Sequence, residues 1–164
     1  MNKKILSIFV MIMALSLFAI SCGNDTTNPD DNKDQTPSFT VTLADAGSDS
    51  KAFSINAKKD LTTAEECTEA AKVTVSPYTL KAADITATPT AVNLKGTVKT
   101  AFTKEEFALD LTTGKLKVGG VTKTSDRSGD DTFTAAVAGT VTFKLTAKGY
   151  KDAPLTVYVN LKHQ

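Results

Sequence analysis

The chain opens on a basic, then apolar, then polar pattern. Lys3 and Lys4 precede an apolar run from Ile5 to Ile20, and polarity returns at Gly23-Asn24-Asp25. A basic start, an apolar middle and a small-residue exit, Ala19-Ile20-Ser21-Cys22, are the layout of a secretory signal. As a helix, the run of 16 residues rises about 24 Å, short of the roughly 30 Å hydrocarbon core. It also lacks a basic flank on its far side, so a permanent membrane span is the weaker reading. Gly23 to Pro37, GNDTTNPDDNKDQTP, then carries no hydrophobic side chain. It cannot bury surface to offset the entropy of ordering, and it reads as a tether. Taut, such a tether reaches about 50 Å, and as flexible coil it averages roughly 20 Å.

From Ser38 the pattern changes to period two. Phe39, Val41 and Leu43 alternate on one face, as do Phe53, Ile55 and Ala57, with the turn residues Asp45 to Ser50 between them. This predicts a hairpin. Asp60 to Lys72, DLTTAEECTEAAK, breaks the alternation. Thr62 or Thr63, followed three residues on by Glu65 or Glu66, is a capping-box signature, and the Ala/Glu content favours helix. The reading is one short helix over about residues 62–72, with Cys67, Ala70 and Ala71 toward the core. Val73 to Val75 is a strand halted by Ser76-Pro77. Ile85–Thr88, Ala91–Leu94 and Thr97–Phe102 are short strand candidates separated by Pro89 and Gly96. Thr103 to Glu106 fits either a helical turn or a polar turn. Phe107 to Val118, FALDLTTGKLKV, reads as a tight hairpin, and Gly139–Ala147 with Pro154–Leu161 as another. The stretches FTVTLADAGSDSKAFSIN and VTFKLTAKGYKDAPLTVYVN share a strand, turn, strand plan without the fixed period of a repeat protein. The predicted core is Phe39, Phe53, Ile55, Phe107, Leu109, Phe133, Phe143, Leu145, Val157 and Val159.

Composition narrows this picture. Removing residues 1–21 leaves 143, enough for one domain of ordinary size or two very small ones. Lys3 and Lys4 leave with them, so 17 basic residues face 18 acidic ones. No net charge there calls for nucleic acid or an anionic surface. The 26 threonines, with many Val and Ala, lean toward β structure. There is no tryptophan, and Cys67 is the one cysteine besides Cys22.

Cys22 at the exit of the apolar run resembles the lipobox of bacterial lipoproteins. The resemblance implies a diacylglycerol thioether on Cys22, cleavage before it, and acylation of the new amino terminus. Ala19 stands where leucine is usual, a departure accepted in looser lipoboxes. Gly23 is not the aspartate that retains lipoproteins at the inner membrane in the best-known sorting rule, so the resemblance favours the outer membrane. With Cys22 lipidated, Cys67 has no intramolecular disulfide partner. Phe107, Leu109, Asp110, Thr113, Gly114 and Leu116 resemble the F-x-[I/L]-D-x-x-T-G-x-[I/L] signature of cadherin-like and immunoglobulin-like β-sandwich modules, over roughly residues 73–161. Asp110 and Thr113 are suited to bonding local amides, and Gly114 to a positive φ. The fold class is therefore mainly β, an immunoglobulin-like or cadherin-like sandwich with one short helix. Its organisation is signal peptide 1–21, lipidated cysteine and linker 22–37, and a single domain 38–164.

Candidate chemistry is sparse. Calcium-binding cadherin repeats place acidic ligands after this turn, where Lys117-Val118-Gly119-Gly120-Val121 stands here. Asp126, Asp130 and Asp131 surround Gly129 as a weak calcium candidate that lacks the carboxylates of a full loop. A polar loop is the plainer reading. His163 is the single histidine and stands next to the last residue, so a catalytic triad or histidine metal site would rest on the tail. Glu105-Glu106 and Asp130-Asp131 are sequence neighbours on expected surface turns, not carboxyls set across a cleft. Cys67 reads as a small buried hydrophobe. Tyr78, Tyr150 and Tyr158 are the tyrosines; Tyr150 reads as a loop aromatic packed over its own hairpin. The expectation is no enzyme, no cofactor and no nucleic-acid partner. The chain is expected in the bacterial envelope, anchored to the bilayer through Cys22, at the outer membrane and exposed at the surface. Its function is expected to be binding or adhesion to a host or envelope protein, with a periplasm-facing structural subunit as the alternative.

Overall fold

The computed structural model describes residues 36–57, 61, 63–96, 102–120 and 137–163. Cys22, Asp126, Asp130, Asp131 and Phe133 lie outside the described residues. The strands are β1 (Thr40–Ala44), β2 (Phe53–Ala57), β3 (Glu65–Glu66), β4 (Lys72–Ser76), β5 (Ile85–Lys95), β6 (Phe107–Asp110), β7 (Lys115–Val118), β8 (Val137–Ala147) and β9 (Ala153–His163). Two single 3₁₀ turns, Ala82–Asp84 and Lys104–Glu106, precede β5 and β6. The protein is mainly β, and the arrangement is compatible with an immunoglobulin-like sandwich.

The alternation in the last third builds the central ladder of the four-stranded sheet. β8 and β9 pair antiparallel, with Val137 opposite Leu161, Val141 opposite Val157 and Phe143 opposite Leu155. These apolar pairs lie on one face because successive side chains in a strand point to opposite sides. β5 adds antiparallel to β8, and β2 adds parallel to β9, giving the order β2-β9-β8-β5. β6 and β7 form the expected hairpin, extended by β3, and β1 pairs with β4. Phe53, Ile55, Val141, Phe143, Val157 and Leu161 from the four-stranded sheet join Phe107, Leu109, Leu116 and Val118 in one buried cluster. Every predicted core residue that is described is buried.

Three expectations are corrected. β1 and β2 do not form a hairpin: β1 pairs with β4, and β2 with β9. Alternation shows that each has an apolar face, and both faces are satisfied in different sheets. The helix over 62–72 is absent among the described residues of that stretch, which hold the short strand β3. There the sheet outcompetes helix propensity. Cys67 N–H donates to Leu116 O at 2.9 Å and Ala71 N–H to Gly114 O at 2.8 Å, and Glu66 is clipped between two lysines of β7. Cys67 and Ala71 are buried as expected, but Ala70 is exposed. Finally, Ile85–Thr88 and Ala91–Leu94 are one strand of 11 residues. A bulge between Pro89 and Ala91 inserts Thr90, whose hydroxyl donates to Thr142 O at 3.1 Å. The extra residue shifts the half-buried positions from Ala87 and Pro89 to Val92 and Leu94. Both halves thus keep apolar groups on the same face. Pro89 is tolerated because β5 is a sheet edge.

The β6–β7 turn depends on Gly114. Its φ is 67°, and a Cβ there would lie 1.9 Å from Ala71 O. The Gly114→Ala variant is expected to lose about 2 kcal/mol or more of stability. Urea unfolding checks this, as a lowered midpoint with unchanged slope.

Candidate functional site

A cleft of about 420 Å³ opens on the outer face of the four-stranded sheet. Its floor is two cross-strand rows. Asn93, Thr140 and Tyr158 form one, and Lys95, Ala138 and Asn160 the other, on β5, β8 and β9 respectively. Asp49 and Ala52, from the loop between β1 and β2, form a wall. The loop is held by Tyr158 N–H donating to Gly47 O at 2.9 Å, and by the reciprocal backbone bonds of Ser48 and Lys51, both 3.2 Å. The close approach of β5 to β8 needs Gly139, where a Cβ would stand 2.0 Å from Asn93 O.

The cleft offers a carboxylate, an ammonium group, two amides, a hydroxyl and a phenol ring within one concavity. Asn160 Oδ1 is shielded from solvent and accepts no hydrogen bond. Such an acceptor costs about 1–3 kcal/mol. The arrangement suits contact and orientation of a ligand. Among the described residues no group of His, Cys, Asp and Glu is placed to hold a metal ion. No helix among them is long and apolar enough to cross a membrane.

The other sequence candidates occupy structural places. Cys67 is buried, and its Sγ accepts from Leu116 N–H at 3.3 Å. His163 ends β9 with its backbone in register with Ala57, a paired strand position rather than a loose tail. Glu106 is not on the surface but buried. Its Oε2 accepts from Thr103 N–H at 2.6 Å and from Thr103 Oγ1 at 3.3 Å, a capping-box arrangement that starts the 3₁₀ turn. Tyr150 is half-buried edge-on against Phe39, ring centroids 5.8 Å apart. Tyr78 is the exposed large hydrophobic among the described residues, at 92%. The cleft escaped sequence reasoning because its residues come from three strands and are individually ordinary outward-facing positions.

Asp110 stands where the β6–β7 turn begins. Its Oδ1 accepts from Thr112 Oγ1 at 2.5 Å, Thr112 N–H at 2.8 Å and Thr113 N–H at 3.3 Å. The Thr112 hydroxyl, then its amide, then Thr113, hold the carboxyl down from 3.8 to about 2. Glu66 Oε1 meets Lys117 Nζ at 2.9 Å, and its Oε2 meets Lys115 Nζ at 3.0 Å. Hydrogen bonds from Lys117 and then Lys115 lower its carboxyl pKa. Both carboxylates serve the fold.

No family model matches the chain, and no solved structure matches it. A stretch of 35 residues, 21% of the chain, is 49% identical to the "16 kDa outer membrane lipoprotein" of Brachyspira hyodysenteriae. That stretch spans 22% of the other protein's length, so the likeness is local. It supports the lipoprotein character read at Cys22.

Two predictions concern the structural groups. Asp110 has a depressed folded pKa, so its contribution is full above about pH 4 and is lost as pH falls toward about 2. Urea midpoints measured from pH 5 to 2 are expected to fall more steeply for the wild type than for Asp110→Asn, the two converging at the acid end. Cys67 is expected to resist a thiol-specific reagent in the folded protein and to react at once in concentrated urea, followed by absorbance of the released thiolate.

Proposed function

We propose that this protein is a lipid-anchored lipoprotein of the bacterial envelope, held at the outer membrane through Cys22. Its β domain is a non-catalytic binding module of immunoglobulin-like or cadherin-like build, displayed to a protein ligand. The observation that carries this reading is the polarity of the domain. The chain arrives at Thr36–Phe39, strapped to the β8–β9 turn by Lys151 N–H donating to Pro37 O at 2.9 Å. The cleft begins at Ala138–Thr140, near the other end of β8. At about 3.3 Å per residue, that is roughly 25 Å along the strand from the turn. The chain therefore enters the domain at one end, and the cleft lies toward the other. The local likeness to an outer membrane lipoprotein supports the address. The polar groups that Asp49, Asn93, Lys95, Thr140 and Tyr158 bring to the cleft support ligand contact there.

The second reading is a periplasm-facing structural or assembly subunit. What favours it is β5, an 11-residue strand at the edge of its sheet. Against pairing along its whole length stand Pro89 and the bulge beside it.

The Cys22→Ser variant is expected to lose metabolic fatty-acid label and to leave the membrane fraction. On intact cells, added protease is expected to cut the wild-type domain while a periplasmic lipoprotein control survives. Protection until the outer membrane is opened would reject display at the surface and leave the subunit reading in its place.

A further inference from the structure

The end of the domain where the tether arrives carries a second surface. Tyr78 projects from the loop between β4 and β5 at 92% exposure. The loop beneath it is fixed: Leu80 is buried, and its N–H donates to Pro77 O at 3.0 Å. Asp84 N–H donates to Lys81 O at 2.9 Å in the turn that follows. The strand register places this tip. Ser76 is opposite Thr40 at the start of β1, and Ile85 is opposite Ala147, beside the turn Lys148-Gly149-Tyr150-Lys151. Tyr78, the arriving chain and the β8–β9 turn therefore share one end.

That end is basic. Lys81, Lys148 and Lys151 are exposed, and among the described residues none of them forms an ion pair. Lys144 is engaged by Asp152 at 3.4 Å, which leaves Asp84 as the opposing charge in this group. A tyrosine with an apolar ring and a polar tip, at the same end as three exposed, long amphipathic lysines, matches the chemistry of the interface between headgroups and acyl chains. It has no role in the packing of the domain.

We propose that this end docks on the anionic bilayer surface to which the chain is anchored. Tyr78 inserts at headgroup level, and Lys81, Lys148 and Lys151 contact lipid phosphates. The proposal rests on acylation at Cys22. A tether of this length keeps the domain at a millimolar-scale effective concentration over the bilayer, so a face of weak intrinsic affinity is enough. Docking fixes the orientation of the domain and turns the cleft outward.

The chain contains no tryptophan, which gives a clean reporter. The full-length acylated protein is reconstituted in vesicles of phosphatidylethanolamine and phosphatidylglycerol, with and without bromine on the acyl chains. Flotation with the vesicles, and the lipid mass on Cys22, are measured first; failure there rejects the anchor reading itself. In protein that floats, tryptophan emission of the Tyr78→Trp variant is expected to be strongly quenched by the brominated lipid. Emission of Asn93→Trp, at the cleft end, is expected to be unaffected. Docking is expected to weaken about fivefold for each lysine removed from the anionic surface. Lys148→Glu with Lys151→Glu, in the Tyr78→Trp background, should therefore abolish most of the quenching, as should about 0.5 M salt. Floating protein in which Tyr78→Trp is quenched no more than Asn93→Trp overturns the proposal. Quenching indifferent to both lysine reversal and salt overturns its electrostatic part.

Discussion

The apolar face shared by β8 and β9 is the constraint on which the other elements depend. Val137, Val141, Phe143, Leu145, Val157, Val159 and Leu161 are essentially removed from solvent along one side of that ladder. Full burial of such a side chain is worth about 1.5–3 kcal/mol before the entropy of ordering is set against it. No disulfide assists: Cys67 is a buried free thiol. The two long strands present a continuous apolar strip that one partner sheet must cover, and β6 and β7 bring Phe107, Leu109, Leu116 and Val118 to it. The turn between β6 and β7 is correspondingly overdetermined. Asp110 holds its amides, Gly114 allows the Ala71 carbonyl to approach, and Glu66 ties β3 to β7 from the other side.

What could be read from sequence follows the range of the interaction involved. The β6–β7 and β8–β9 hairpins are local events, with a strand, a short turn and a strand, and alternation with turn chemistry was sufficient to find them. The core residues Phe53, Ile55, Phe143 and Val157 were legible because period two assigns a face. The partner of that face is a different matter. β1 and β2 look like a hairpin because each alternates and turn residues lie between, yet the pairing is decided by which sheet covers each strand. The segment around Glu65–Cys67 has helix-favouring composition and a helix-like spacing between Cys67 and Ala71. Backbone bonds to Leu116 of β7 and to Gly114 of the turn before it, and a pair of lysines on Glu66, were invisible without knowing that β7 lies alongside. Pro89 reads as a breaker in any strand, and only its edge position makes it harmless.

The cleft shows the same limit from the polar side. Asn93, Thr140 and Tyr158 are far apart in sequence, and each is an ordinary outward residue of its strand. Registration across three strands turns them into one row, and the loop carrying Asp49 turns the row into a concavity. The basic, apolar and small-residue pattern ending at Cys22, by contrast, is local in sequence, which is why it is easier to read than a cleft assembled from three strands. Tyr78 falls between these cases. Pro-Tyr in a turn marks a loop, but only the register of β4 and β5 places that loop at the tethered end.

The sheet edges bear on how such a domain behaves beside its neighbours. A protein held on a surface meets its own copies often, and an open strand edge is a template for pairing. On the β2 side, Ser54 O is already occupied by Thr68 N–H at 2.9 Å and by Thr68 Oγ1 at 3.3 Å, so part of that edge is covered by the chain's own segment. On the β5 side, Pro89 removes a donor, and the bulge at Thr90 breaks the spacing that an added strand would need. Lys95 sets a charge at the end of the same strand. The two edges are blunted by different means, one by coverage and one by interruption. Any partner of this domain is therefore better met through side chains, at the cleft or at the loops, than through addition of a strand.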